Sequence, residues 1–89
     1  MDHRDEKIRQ LFELILKLDN VEDCQALFED MCTRKEIEKM AERIFAARLL
    51  MEGKTYNQVI SETSISFATL SRVSQCVQYG KGYSALLKK

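Results

Sequence analysis

GKTYNQVISETSISFATLSRVSQC (Gly53–Cys76) reads as two short helices joined by a tight turn. Thr55 can cap a helix running from Tyr56 to Ser61, since its hydroxyl can accept an otherwise orphaned backbone N–H. Glu62, Thr63 and Ser64 then make a short turn, Ile65 points inward, and Ser66 caps a second helix from Phe67 to about Gln78. Val59, Ile65, Leu70 and Val73 are spaced to knit the two helices together. Phe67, Ala68, Ser71 and Arg72 then face outward near the start of the second helix. Within a small all-helical chain this is the layout of a helix-turn-helix, whose second helix presents its first residues to base edges in the major groove. Ser66, Thr69, Ser71 and Ser74 are short donors suited to close approach to phosphates and bases. Ser64 stands where such turns often carry glycine, and Ile60 where a small residue is usual. The plainer alternative is an αα-hairpin that only builds core.

Upstream, the pattern is helical throughout. Ile8, Leu11, Phe12, Ile15 and Leu16 recur at three- and four-residue spacing and predict a first helix from Asp5 to Leu18. Leu14 and Leu18 widen its apolar stripe to more than one face, so a partner subunit is expected to cover the second. Asn20 interrupts, and Val21 to Met31 predicts a second helix burying Ala26, Leu27, Phe28 and Met31. Thr33 and Glu36 form a capping-box pattern at the start of a long third helix. Its stripe is Ile37, Met40, Ala41, Ile44, Phe45 and Met51, and Gly53 stops it. At about twenty residues, or ~30 Å, this helix is the expected spine. A small helix, Tyr83 to Leu87, is expected to close over the dimer.

Composition narrows the function. The 89 residues are 45% apolar and 31% charged, without proline and with three glycines, which suits one helical domain and leaves no room for a catalytic one. Cys24, Cys32 and Cys76 are odd in number and contain no C-x-x-C, so free, half-buried thiols are expected rather than disulfides or zinc. The lone His3 cannot build a histidine-based site, and no enzyme, metal or cofactor is expected. No apolar run is long enough for a bilayer, and the charged start does not resemble a signal peptide, so the expected location is cytoplasmic, without a membrane partner.

The net charge of zero hides a polarity. Residues 1–42 hold twelve acids against seven bases, whereas residues 43–89 hold two acids against seven bases. An acidic half for structure and a basic half for phosphate is the reading that accommodates the helix-turn-helix.

The run A-T-L-S-R-V-S (Ala68–Ser74), the entry G-K-T-Y-N-Q (Gly53–Gln58) and the start T-x-x-E-x-E (Thr33, Glu36, Glu38) together resemble the tryptophan-repressor superfamily, in particular its tryptophan-repressor-like group. The resemblance covers about residues 5–80, with a small length difference after Gly53. It implies an all-α, intertwined homodimer and a bacterial, non-enzymatic regulator, most simply a repressor. Residues 5–52 would supply the dimerisation helices and spine, 54–78 the helix-turn-helix, and 79–89 a short C-terminal helix and tail, all within a single domain 1–89. Double-stranded DNA would be met by Asn57, Phe67, Ala68 and Ser71 at or near the bases. Lys54, Ser66 and Thr69 would lie nearer the backbone, with Arg72 beside them. Two-fold symmetry would make the operator roughly palindromic. Members that sense tryptophan hold the indole between two arginines, and Arg43 and Arg72 match those places. The residue after the second is glycine in the sensors and Val73 here, which would fill volume the ligand needs. The expectation is DNA binding without tryptophan, or with a different small-molecule effector. The competing reading is a non-catalytic docking module that uses Phe67 and the Tyr79/Tyr83 pair as a protein interface.

Overall fold

A computed structural model of the protein describes residues 3–88. Its elements are α1 (Arg4–Ile15), α2 (Val21–Met31), α3 (Arg34–Met51), α4 (Tyr56–Glu62), α5 (Phe67–Tyr79) and α6 (Gly82–Leu86). They fall into two compact units, one ending at Arg34 and one starting at Lys35.

In the first unit, α1 carries Asp5 and Glu6 in its opening turn, where the helix dipole favours acids. It stops at Ile15, three residues before the Leu18 expected from its stripe. The chain tightens there: Lys17 and Leu18 donate to the carbonyls of Leu14 and Ile15 in i→i+3 bonds that narrow the end of the helix. Asn20 ends one helix by starting the next, its side chain accepting the Asp23 N–H at 2.8 Å. None of the described residues in this unit is buried. Of the four residues expected to be buried on α2, Leu27 and Phe28 are half-buried, but Ala26 and Met31 are exposed. Two short helices carry too little apolar surface to close a core by themselves.

The second unit has that core. Ala46, Ala47 and Leu49 of α3 meet Val59 of α4 and Leu70 and Val73 of α5, all buried. The stripe expected along α3 is therefore not the core face. Ala41, Ile44, Phe45 and Met51 are exposed, while Ile37 and Met40 are half-buried. The helix-turn-helix is small and covers only the C-terminal half of α3. It packs on the face that carries the two alanines and leaves the bulkier stripe outside. Tyr83 and Leu87, around the short α6, fold back against this same core.

The junction between spine and helix-turn-helix is a Schellman motif. The Gly53 N–H donates to the Leu50 carbonyl at 3.0 Å and the Lys54 N–H to that of Leu49 at 3.1 Å. Gly53 has φ of +92°, with nothing within 4 Å of where a Cβ would stand, so the constraint is conformational rather than steric crowding by neighbours. Gly53→Ala is expected to cost about 1–2 kcal/mol in urea denaturation, and Gly53→Asn less, because asparagine tolerates the left-handed region. Equal losses for the two variants would contradict this origin.

Candidate nucleic-acid interface

Each helix of the pair is started by a local cap. Thr55 accepts the Gln58 N–H at 3.2 Å while the Gln58 side chain accepts the Thr55 N–H at 2.8 Å, a complete capping box. The T-x-x-Q spacing is the sequence signal for this box, and it adds the Gln58 half to the expected Thr55 cap. The turn needs no glycine, since no non-glycine residue among those described has positive φ. Ser64 instead ties the turn to the spine, donating to a Glu42 carboxylate oxygen at 3.0 Å. Ile60 is accommodated half-buried at the core's edge.

Ser66 caps α5 by accepting the Thr69 N–H at 3.1 Å, and its hydroxyl lies 3.0 Å from that of Thr69. In that second bond Ser66 donates and Thr69 accepts. The Ser66 proton is therefore engaged internally, and Ser66 serves the fold more than a ligand. The Thr69 hydroxyl keeps its own proton for an outside acceptor such as a phosphate oxygen.

Phe67 opens α5 with 56% of its surface exposed. One side of its ring packs on Tyr56, with centroids 5.8 Å apart and planes tilted by 56°, so α4 braces the aromatic at the tip of α5. Lys54, Asn57, Ala68, Ser71 and Arg72 are all exposed, as the helix-turn-helix reading requires. Ser74 departs from it. It is buried and accepts from the Gln78 side chain at 3.2 Å, so it belongs to the interior. The first turns of α4 and α5 carry no acid, which leaves the positive ends of both helix dipoles unopposed.

The structure also brings the two arginines together. Arg43 of α3 and Arg72 of α5 line one cavity of about 510 Å³ with Thr69, Val73, Cys76 and Tyr83. Neither guanidinium has a hydrogen-bond or ion-pair partner among the described residues, so Arg72 is not neutralised by an acid of the long helix. Val73, which lines this cavity, is only 2% exposed and is part of the core. Cys76 and Tyr83 are lining residues that sequence reasoning did not assign. Tyr83 is brought in because the small C-terminal helix, expected to close over the dimer, packs against the core of its own chain. All three cysteines are free and half-buried. Among the described residues no three His, Cys, Asp or Glu side chains converge to hold a metal ion, and no helix is long and apolar enough to cross a membrane.

The family described as Trp repressor protein matches residues 6–89. The chain belongs to the Trp repressor family. Within reach of this Trp repressor family member is an uncharacterised protein of Bacillus subtilis (strain 168), YerC, 46% identical over 77 residues, which are 86% of this chain and 74% of the relative. Two crystal structures share the fold. A candidate Trp repressor from Staphylococcus aureus superposes with a TM-score of 0.86 at 34% identity, over 98% of this chain and 91% of that one. A TrpR-like protein from Eubacterium eligens ATCC 27750 does so with a TM-score of 0.87 at 36% identity, over 93% and 87%. The family is one of non-enzymatic regulators, and the all-helical architecture here is theirs.

Proposed function

We propose that this Trp repressor family member binds double-stranded DNA sequence-specifically and regulates transcription, acting as a repressor. It would work as a homodimer whose two helix-turn-helix heads meet a roughly palindromic operator. The observation that carries the reading is the first turn of α5. Phe67, Ala68 and Ser71 are exposed there on a helix whose tip is braced by Tyr56 and whose start holds no acid. Base-edge contacts fall to Asn57, Phe67, Ala68 and Ser71, and phosphate contacts to Lys54, Thr69 and Arg72. Ser66 holds the helix start in place for both. The exposed apolar residues of α1, among them Ile8, Phe12 and Leu16, support a second subunit, since a lone protomer leaves them in water.

Selection of random duplex DNA by the purified protein, scored at low and high salt, tests this reading. A palindromic motif whose enrichment fades with salt is expected. No salt-linked enrichment of any sequence would overturn it in favour of a protein-docking surface. That alternative is weakened by Tyr83, which is half-buried against the core and so withdrawn from the aromatic pair it required.

Tryptophan is not the corepressor in this reading. Val73 is a core residue, and making room for an indole would mean moving it. Calorimetry with tryptophan should give no heat beyond dilution, and the selected motif should be the same with and without it. Saturable tryptophan binding would contradict this.

A further inference from the structure

The Ser64 hydroxyl and the Glu42 carboxylate join residues 22 apart in the chain, whereas the capping bonds and the Ser74–Gln78 bond stay within four. The backbone does not require glycine at this turn, because Ser64 has no positive φ. What the serine side chain adds is a donor, held 3.0 Å from a Glu42 oxygen. Glu42 is half-buried and lines one surface groove with Phe45 and Ser64, and Ser64 itself is exposed. The fully buried part of α3 against the helix-turn-helix is Ala46, Ala47 and Leu49, about one helical turn. Glu42 lies four residues before Ala46, ~6 Å further along the axis. Ile65, next to Ser64, adds only more apolar contact. Apolar contact over so short a stretch is non-directional and lets the head rock on the spine, whereas a hydrogen bond fixes a distance and an angle.

We propose that Ser64 and Glu42 are positioning residues that fix the angle of the reading head on the spine, and through it the half-site spacing that the dimer accepts. The inference rests on the DNA-binding reading above and adds to it a determinant that touches no base. Ser64 stands three residues before Phe67, so a clamp at the turn acts close to the end of α5 that meets base edges. Rocking of the head about its core contacts displaces that end. In a two-fold dimer both heads rock, and the distance between them carries the sum of the two displacements. An exposed hydrogen bond contributes roughly threefold to the equilibrium that favours the clamped angle, so two clamps contribute about tenfold.

Competition binding of the full chain on the selected operator, and on copies whose central spacer is one base pair longer or shorter, tests it. The change of spacer should cost the native chain roughly ten times more affinity than it costs Ser64→Ala. Ser64 is exposed, so circular dichroism should show that variant folded. Glu42→Ala should relax the spacing preference to the same extent and the double variant no further, because either change alone removes the bond. Ser64→Thr keeps the hydroxyl and should keep the native ratio. Base preference within each half-site should stay the same throughout. A purely structural defect lowers binding to every spacer alike and leaves the ratio between spacers at its native value. A native ratio in folded Ser64→Ala, or a double variant more relaxed than either single one, overturns the proposal and leaves the DNA-binding reading in place. Failure to select any operator overturns that reading, and the proposal with it.

Discussion

Leu70→Ala is expected to unfold the helix-turn-helix at denaturant concentrations where the native chain is intact. Leu70 is fully buried on α5, in one cluster with Val59 of α4 and the alanines of α3. Removing a buried leucine side chain costs ~2–5 kcal/mol, through lost transfer energy and the cavity left behind. The upper part of that range applies here, because Ala46 and Ala47 have no longer side chains with which to fill the space. Whole domains are stable by only ~5–15 kcal/mol, so the loss is a large share of the total. It falls on a weak element too, since α4 is seven residues long and helices of that length are not stable alone. Urea denaturation followed by circular dichroism should show the midpoint falling steeply for Leu70→Ala. Phe67→Ala, on the exposed face of the same helix, should lose no more than about 1 kcal/mol, the scale of its ring contact with Tyr56. Equal losses would mean that the two faces of α5 are wrongly assigned.

The inward and outward faces of α4 and α5 were legible in the sequence because the information is local. Val59, Leu70 and Val73 alternate with exposed polar residues at helical spacing, and Thr55, Ser66 and Gly53 mark helix ends by chemistry that acts within three or four residues. What was misread depends on which elements meet. Periodicity in α3 finds an apolar stripe but cannot say whether the chain itself or another body covers it. The core face turned out to be Ala46, Ala47 and Leu49, with Phe45 and Met51 outside. Ser74 shows the same limit at a single residue: its short polar side chain suits a phosphate contact, yet Gln78 satisfies it inside the protein. The pairing of Arg43 with Arg72 came from resemblance rather than spacing, and the fold supplies the cavity between them. Cys76 and Tyr83 needed the return of α6, a tertiary event.

The affinity of the proposed regulator for its operator should depend steeply on salt, by an amount its exposed cations set. Lys54 and Arg72 are the bases placed on or beside the helix-turn-helix, and both are exposed. A dimer would bring two of each to phosphate. Releasing counterions from four phosphates gives a slope of log affinity against log salt near −3.6, or roughly a hundredfold loss between 50 and 200 mM salt. Lys54→Gln removes one cation from each head, so the slope should shrink to about −1.8 and the loss over the same interval to about tenfold. All sequences should weaken alike, because a phosphate contact carries no base information. Ser71→Ala should behave in the opposite way, leaving the slope unchanged while altering which bases are preferred at one position in each half-site. Fluorescence anisotropy with the selected operator and a scrambled duplex, across a salt series, separates the two effects. A Lys54 variant that changes sequence preference, or a Ser71 variant that changes only the slope, would reverse the roles assigned to these residues. It would then put the junction after Gly53, rather than the tip of α5, against the bases.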